Sequence, residues 1–396
     1  GWEPEYPLYD NATYGPTETV WRESETLPGY KYVGIFGGGM PDLNFSSETL
    51  REDIKNVGRF WLDQGVDGFR LDAARHVYGD YYSNIYSDYI SGENQAFWED
   101  FRSAMVDEYP NAFLVGEVWE RNTDNMVPFI SEGALDSTFD FNLASKIYEA
   151  ASNETTAYDP DSVDPESQLS ETDDLELVSD LISFYDKFGE ASGYNFIDCP
   201  FSTNHDQNRI MSLMKYQFDP EASELVTAEV VRDENEQPVL REDADKAVDH
   251  VKVASSILLT MPGKPFLYYG EEVGMDGMKP DSSIRECMPW FEEPFAEDGT
   301  PKEGLAAYGE ETLYSLGGEA SVEAQIDDPD SLYAHYKELI GMRKQIPALM
   351  NGDIDEYVLD SQQILSYIRM TKDQRVLVLV NLTGEALTQD LPEDPN

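Results

Sequence analysis

The sequence is short of cysteine, of basic residues and of long apolar runs. Only Cys199 and Cys287 occur among 396 residues, so no disulfide framework can be read, and buried free thiols are expected. No run of about 18 apolar residues exists, so no membrane-spanning helix is expected. Lysine and arginine total 27 against 79 acidic residues. This balance argues against a nucleic-acid partner, because phosphate binding needs basic clusters.

What the sequence does contain is consistent with a folded, strongly acidic protein. The apolar fraction of 40% is enough for a sizeable core and argues against wholesale disorder. The formal net charge of −52 indicates a heavily solvated surface, which keeps a secreted or salt-exposed protein soluble. An acidic interaction tail is the alternative. We therefore expect an extracellular or cell-surface monomer, with a cytoplasmic location left open.

Short apolar strands alternate with helices through the central part of the chain, which predicts βα units and a parallel sheet. Residues 1–45 have no helical period and read as an irregular lobe. After residue 350, short strands broken by turns predict a small antiparallel domain. The predicted helices cover 47–64, 94–108, 244–260 and 331–345, with Ser46 or Ser47 capping the first. The predicted strands cover 66–72, 112–118, 135–141, 264–269, 357–359, 364–370 and 376–381, and residues 196–206 read as a strand and its exit loop. Two acidic segments cover 151–180 and 219–247.

Three acidic residues lie at or just after the carboxyl ends of predicted strands. Asp72 and Glu117 are 45 residues apart, about one βα unit with its loop, and Asp206 follows 89 residues later, about two units. In a (β/α)8 barrel the active site lies at this end of the strands. A doubly wound sheet also binds ligands there, but the glycine-rich turn that it would need is matched only weakly, by 37–39.

The residues around these acids suit hydrolysis of a glycosidic bond. Arg70 and Asp72 share one face of a strand, so the guanidinium would lower the pKa of Asp72 and keep it ionised, as a nucleophile requires. Glu117 closes an apolar strand beside Trp119, which would raise its pKa as a general acid requires. Residues 202–209 could bind sugar hydroxyls. A structural ion pair, an exposed strand-end glutamate and a plain polar loop are the respective alternatives.

Five segments resemble, in order, conserved stretches of the alpha-amylase family, glycoside hydrolase family 13. Residues 67–76 (DGFRLDAARH), 115–119 (VGEVW) and 202–209 (STNHDQNR) resemble three of its central motifs. Residues 40–44 resemble the motif that ends the lobe inserted after the third barrel strand. Residues 263–274 resemble the signature of the eighth strand. Five motifs in this order are more specific than any one of them.

The resemblance implies an α/β protein, a (β/α)8 TIM barrel followed by a small antiparallel β domain. Residues 1–45 would be the remnant of the lobe, 46–350 the catalytic barrel with strands 4–8, and 351–396 an incomplete C-terminal β-sandwich. The family's first conserved stretch, which contains an Asp and an Asn-His pair, is not found before residue 40. We therefore expect the first three barrel strands to be missing and the chain to be truncated at its N-terminus.

The resemblance also implies retaining hydrolysis of internal α-1,4-glucosidic bonds in starch or maltodextrins by double displacement. Asp72 would be the nucleophile, Glu117 the general acid/base, and Asp206 a ligand of the sugar hydroxyls. The substrate would also be contacted by Arg70, Arg75, His76, Trp119 and His205. A structural calcium would be held by Asp42 and the backbone oxygen of His76. Because Arg75 stands where the family commonly has Lys, the product pattern stays open.

Other activities of the same family are alternatives. Ala73 and Met40 favour an endo-acting amylase over relatives that are specialised for α-1,6 bonds. A glucanotransferase or an α-glucosidase-type enzyme, including sucrose- or trehalose-processing ones, would use the same carboxylates. A non-catalytic carbohydrate-binding relative is disfavoured, because such relatives typically lose catalytic carboxylates and all three are present here.

Overall fold

The computed structural model describes the greater part of the chain. The described residues are 21–24, 26–34, 36, 39–78, 92–120, 122–155, 177–219, 222, 225–293, 295–296, 298–300 and 318–391. Residues 1–20 of the predicted lobe, 156–176 of the first acidic segment, Gly37 and Gly38, and the last five residues lie outside them. No helix within these ranges is long and apolar enough to cross a membrane.

The order of elements begins with two short strands and then alternates strands with helices. The strands are β1 (Trp21–Glu23), β2 (Lys31–Val33), β3 (Gly68–Leu71), β4 (Phe113–Gly116), β5 (Ser137–Asp140), β6 (Cys199–Pro200), β7 (Asp353–Glu356), β8 (Ile364–Thr371) and β9 (Gln374–Asn381). The α-helices are α1 (Glu48–Asp63), α2 (Gly92–Val106), α3 (Thr123–Met126), α4 (Phe141–Asn153), α5 (Leu177–Ser192), α6 (Ile210–Lys215), α7 (Ala247–Thr260), α8 (Asp281–Ile284), α9 (Val322–Gln325), α10 (Leu332–Gln345) and α11 (Pro347–Asn351).

The chain divides into two compact units. The first contains residues 1–139 and 187–196, and the second contains residues 140–186 and 197–396. These units do not coincide with the predicted boundaries at residues 45 and 350. The predicted domain limits therefore stay predictions.

In the first unit, β3, β4 and β5 run parallel, as the alternation of strands and helices predicts. Gly68 pairs with Phe113 in register between β3 and β4, and Val115 pairs with Ser137 between β4 and β5. Helix α1 begins after Ser47, whose Oγ accepts a hydrogen bond from the amide of Leu50 at 3.4 Å, so the predicted cap is confirmed. The carboxyl ends of β3 and β4 therefore lie side by side.

The second unit contains β6, the helices after it and the C-terminal sheet. After β6, Phe201 forms a parallel bridge to Phe266. The sheet β7–β8–β9 is antiparallel, with Ile354 opposite Arg369 and Tyr367 opposite Val378. The three-stranded sheet confirms an antiparallel region after residue 350.

Two predicted strands differ from the structure. The strand predicted at 357–359 is wrong: β7 is Asp353–Glu356, because its pairing with β8 depends on main-chain hydrogen bonds rather than on the apolar side chains that marked 357–359. The strand predicted at 264–269 is reduced to a bridge, since only Lys264 and Phe266 donate amide hydrogen bonds to the chain before them, at 2.7 and 2.8 Å. Both cysteines are free thiols, but only Cys199 is buried, and Cys287 is half-buried.

Two arginines secure the end of α7 within the second unit. Arg343 of α10 donates from Nη1 to the carbonyls of Leu259 and Met261, each at 2.8 Å. Arg369 of β8 donates to the carbonyl of Thr260 and, at 2.6 Å, to that of Gly352. Cations at a helix carboxyl end interact favourably with its dipole and its unpaired carbonyls. The C-terminal sheet is therefore joined to α7 by buried charged hydrogen bonds.

Candidate active site

One guanidinium bridges the two acidic residues at the ends of β3 and β4. Arg70 forms an ion pair with Asp72 through Nη1, and its Nη2 lies 2.9 Å from Oε2 of Glu117. Residues 70 and 72 were predicted to share a strand face, and their contact agrees with that alternation. Because both carboxylates contact the same planar guanidinium, one on each Nη atom, the two strand ends present their acids side by side. Retaining glycosidases need a separation of about 5–5.5 Å between their carboxyl groups.

The main chain after β3 also holds Glu117. The amide of Ala73 donates to Oε2 of Glu117 at 3.0 Å. The amide of Ala74 donates to the carbonyl of Glu117 at 3.0 Å, and the amide of Glu117 donates to Leu71 at 2.9 Å. Ala73 has φ of 45°, a left-handed conformation that is uncommon for a residue with a side chain. The backbone of Ala73 is therefore strained, and this conformation lets its amide donate a hydrogen bond to the side chain of Glu117.

Gly116 provides the close packing behind this turn. A Cβ at that position would lie 2.6 Å from Cδ1 of Leu135 and 3.3 Å from Cβ of Ala74. A larger residue would push the turn away from β4. The absence of a side chain at Gly116 thus lets the turn after β3 pack against the end of β4, where it contacts the carboxylate of Glu117.

The two carboxylates differ in exposure. The side chain of Asp72 is 78% exposed, whereas that of Glu117 is 11% exposed. An exposed carboxylate can be approached by an electrophilic carbon, and a poorly hydrated one can serve in proton transfer. The predicted low solvation of Glu117 agrees with its burial. The arrangement can support attack by one acid and proton donation by the other.

Arg75 and Trp119, two of the predicted substrate ligands, contact each other. The buried guanidinium of Arg75 donates to the carbonyl of Trp119 at 2.5 Å and lies 3.4 Å from Oε2 of Glu120. The structure thus places Arg75 against the segment that follows Glu117, where it holds the main chain. Its contact with substrate stays a prediction.

His76 ends the short 3-10 turn Ala74–His76 and packs edge-on against Phe36, with ring centroids 5.2 Å apart. Burial, and secondarily the charge of Arg75, lowers its pKa to about 3, so the imidazole is neutral at ordinary pH. The fully buried Asn94 fixes the surrounding loop by donating to the carbonyls of Arg75 and Tyr78, at 3.1 and 2.9 Å.

The calcium predicted at Asp42 and the carbonyl of His76 stays a prediction. Calcium takes six to eight oxygen ligands. Within the described ranges, no group of three or more His, Cys, Asp or Glu side chains could hold a metal ion. The side chains present there do not by themselves make up a calcium donor set.

In the second unit, the two carboxylate oxygens of Asp206 contact the imidazole of His205 and the guanidinium of Arg285. Nε2 of His205 is 3.0 Å from Oδ2 of Asp206, and Nη2 of Arg285 is 2.6 Å from Oδ1. Arg285 also donates from Nε to the carbonyl of His205 at 2.8 Å. A charge-assisted contact of this kind fixes the orientation of a carboxylate.

Arg285 was not predicted as a site residue. It is 79 residues from Asp206 along the chain, in a segment where no spacing or motif used in the sequence analysis marks it. The signal that could have found it is its positive charge within a segment whose other charged residues, Asp281, Glu286, Glu292 and Glu293, are acidic. Two tyrosines hold its neighbours: the hydroxyl of Tyr268 donates to Ile284 at 2.9 Å, and that of Tyr269 donates to Glu286.

Parallel βα units that carry acidic residues at the carboxyl ends of their strands are typical of α/β enzymes. The family model "Alpha amylase, catalytic domain" matches residues 5–232 and 234–352. The chain belongs to the alpha-amylase family of glycoside hydrolases. Its fold class is α/β, a TIM barrel followed by a small antiparallel sheet, as predicted.

Known relatives agree with this assignment. Alpha-amylase 3 of Dictyoglomus thermophilum is 31% identical over 379 residues, covering 96% of this chain and 62% of that protein. Oligo-1,6-glucosidase of Bacillus cereus is 22% identical over 423 residues, covering 95% and 67%. The crystal structure of an alpha-amylase from H. orenii superposes with a TM-score of 0.70 at 28% identity, covering 96% of this chain and 63% of that one. The chain thus spans about three fifths of the first relative's length.

Proposed function

We propose that the protein hydrolyses internal α-1,4-glucosidic bonds in starch or maltodextrins with retention of anomeric configuration. The observation that carries this proposal is the contact of Arg70 with both Asp72 and Glu117. A retaining mechanism needs two carboxyl groups on either side of one glycosidic bond. The similarity to alpha-amylase 3 supports an α-glucan as substrate.

In the first displacement, a carboxylate oxygen of Asp72 attacks the anomeric carbon, and Glu117 donates a proton to the departing glycosidic oxygen. The bond to the leaving sugar breaks as the glycosyl–Asp72 ester forms. Arg70 orients the carboxylate of Asp72 through its ion pair. The amide of Ala73 keeps Glu117 in place between the two steps.

In the second displacement, Glu117 removes a proton from water, and the water oxygen attacks the anomeric carbon. The ester bond breaks, Asp72 is restored as a carboxylate, and the product keeps its α configuration. Asp206 and His205 bind sugar hydroxyls and favour the oxocarbenium-like transition state. Arg285 holds Asp206 in the orientation that this binding needs.

An α-glucosidase-type activity on short oligosaccharides is the second candidate. Its support is the relative from Bacillus cereus, whose name is oligo-1,6-glucosidase. Both candidates use the same carboxylates, so they differ in bond choice and product length rather than in chemistry. The net charge of −52 further supports an extracellular or cell-surface location, because acidic surfaces keep proteins soluble in salt.

The test is to incubate the intact protein with maltoheptaose, to separate the products by size and to follow their anomeric protons by NMR. An endo-acting retaining amylase forms several shorter maltodextrins whose new reducing ends are first α. Release of glucose alone would favour the second candidate. Products longer than maltoheptaose would show transfer to a sugar acceptor, and β products would contradict a retaining mechanism.

A further inference from the structure

Helix α2 holds the turn after β3 through two buried polar side chains that the proposed mechanism does not use. Nε1 of Trp98 donates a hydrogen bond to the carbonyl of Ala74 at 2.9 Å. Nδ2 of Asn94 donates to the next carbonyl of the turn, that of Arg75, at 3.1 Å. Asn94 and Trp98 are four residues apart, so they lie one turn apart on the same face of the helix. Two consecutive residues of the turn are therefore fixed from one helix.

The hydrogen bond between Trp98 and Ala74 lies in the core of the first unit. Ala74 is fully buried, and Trp98 is 5% exposed. The indole packs edge-on against the rings of Phe97 and Phe101, with ring centroids 4.9 and 5.7 Å away. Water cannot easily replace a donor that a buried carbonyl loses, so the turn would have to move if the indole N–H were removed.

The turn that Trp98 holds is also the turn that holds Glu117. The amide of Ala74 donates to the carbonyl of Glu117, and the amide of Ala73 donates to its Oε2, each at 3.0 Å. Ala74 is thus fixed to α2 through its carbonyl and to the end of β4 through its amide. A displacement of Ala74 would be passed to the carboxylate of Glu117 through the adjacent Ala73.

Ala73 needs this support because its backbone is strained. Its φ of 45° and ψ of 43° lie in the left-handed region, which a residue with a Cβ adopts only when its surroundings impose it. Released from α2, Ala73 would relax toward an ordinary conformation, and its amide would turn away from Oε2 of Glu117. The hydrogen bond from Trp98 holds the residue that follows Ala73 and thereby opposes this relaxation.

We propose that Trp98 is a positioning residue for proton transfer by Glu117: its indole N–H keeps the turn after β3 in the conformation that directs the amide of Ala73 at Oε2 of Glu117. Without this hydrogen bond, Glu117 would be misplaced relative to the departing glycosidic oxygen. A misplacement of about 1 Å costs on the order of 10²-fold in rate, so a smaller shift costs about tenfold. The inference rests on the role proposed above for Glu117, because Trp98 acts only through the turn.

The experiment compares the intact wild type with Trp98→Phe and with the control Met105→Ala. Phenylalanine keeps a buried ring but removes the N–H, whereas Met105 is a buried residue two turns further along the same helix. Both variants lose core volume, so both should have a lower melting temperature than wild type. We expect kcat/KM on maltoheptaose to fall about tenfold in Trp98→Phe and to stay within about twofold of wild type in Met105→Ala.

A more conservative replacement keeps the test available if Trp98→Phe does not fold. Benzothienylalanine at position 98 has the shape of tryptophan with sulfur in place of the N–H, so it removes the donor and leaves the packing almost unchanged. It should show the same loss of kcat/KM as Trp98→Phe with a smaller loss of melting temperature.

A nitrophenyl α-maltotrioside separates proton transfer from the other requirements of the reaction. Nitrophenolate departs without a proton, so its release depends less on Glu117 than the release of a sugar does. We expect Trp98→Phe to stay within about threefold of wild type in kcat/KM on this substrate, against the loss of about tenfold on maltoheptaose. A lower fraction of folded protein would reduce both values by the same factor.

Ala73→Gly supplies a further readout, the rescue of Trp98→Phe. Glycine keeps the amide that donates to Glu117, and it adopts the left-handed conformation without the strain that a Cβ causes. The turn of this variant therefore needs less support from α2. We expect the loss caused by Trp98→Phe on maltoheptaose to shrink from about tenfold to about threefold when it is measured in the Ala73→Gly background.

Each outcome decides the inference. Equal losses of Trp98→Phe on the two substrates would overturn it, as would equal losses with and without Ala73→Gly. A kcat/KM of Trp98→Phe on maltoheptaose that matches that of Met105→Ala would overturn it as well. A wild type that hydrolyses neither substrate would overturn the proposed function, and this inference with it. An active wild type upholds hydrolysis whichever way the variants behave, so the two failures are distinguishable.

Discussion

The carboxylates of the two units are held in different ways. In the first unit, Arg70 lies on β3 two residues before Asp72, which follows that strand, and Glu117 follows the neighbouring strand β4. In the second unit, Asp206 depends on Arg285, which lies 79 residues away and is partly exposed. The first arrangement follows from strand register, and the second depends on how distant loops pack. The difference predicts that substitutions in the first unit cost more activity than matching ones in the second.

The largest effect is expected for Glu117→Gln. Glutamine keeps the shape of the side chain but cannot donate and recover a proton, and proton transfer by a positioned side chain contributes about 10²–10⁴-fold. We expect kcat on maltoheptaose to fall by that factor while glucan binding persists. The control is Glu108→Gln, an exposed residue of the first unit. Retention of more than a tenth of the activity by Glu117→Gln would remove Glu117 from the mechanism.

Arg70→Lys should have the next largest effect. A lysine ammonium is a point charge and cannot bridge two carboxylates as the guanidinium fork does. Loss of one charged hydrogen bond costs about 1.5–3 kcal/mol, which corresponds to a fall in kcat of roughly 10–100-fold. The fall in kcat is measured from the steady-state rates of Arg70→Lys and of the control Arg375→Lys, which changes an exposed arginine. Equal rates for the two variants would show that the bridge is dispensable.

Arg285→Lys should have the smallest effect of the three and should depend on salt. The side chain of Arg285 is 42% exposed, so its ion pair with Asp206 is partly screened. We expect a loss of about 3–10-fold in kcat/KM at low ionic strength, which shrinks toward wild type in about 1 M salt. The loss caused by Arg70→Lys should change less, because Glu117 is buried. A larger loss of activity in Arg285→Lys than in Arg70→Lys would contradict the expectation that the first unit is the more sensitive one.

Much of the first unit's site could be predicted because its contacts are local. The alternation of side chains on β3 placed Arg70 beside Asp72, and the apolar run before Glu117 indicated its burial. The helix cap at Ser47 was likewise a local signal. Contacts that depend on neighbouring strands in register can be predicted once the strands are recognised.

The sequence by itself determined the family, the βα alternation and the carboxylates at the strand ends, because these follow from composition, period and motif order along the chain. Tertiary structure alone decided the contact of Arg285 with Asp206, the burial of Arg75 against Trp119 and the hydrogen bond from Trp98 to Ala74. It also decided that β7 precedes the predicted position. Each of these joins residues that are distant along the chain, and whether a polar side chain meets a partner or water depends on the packing of the whole fold.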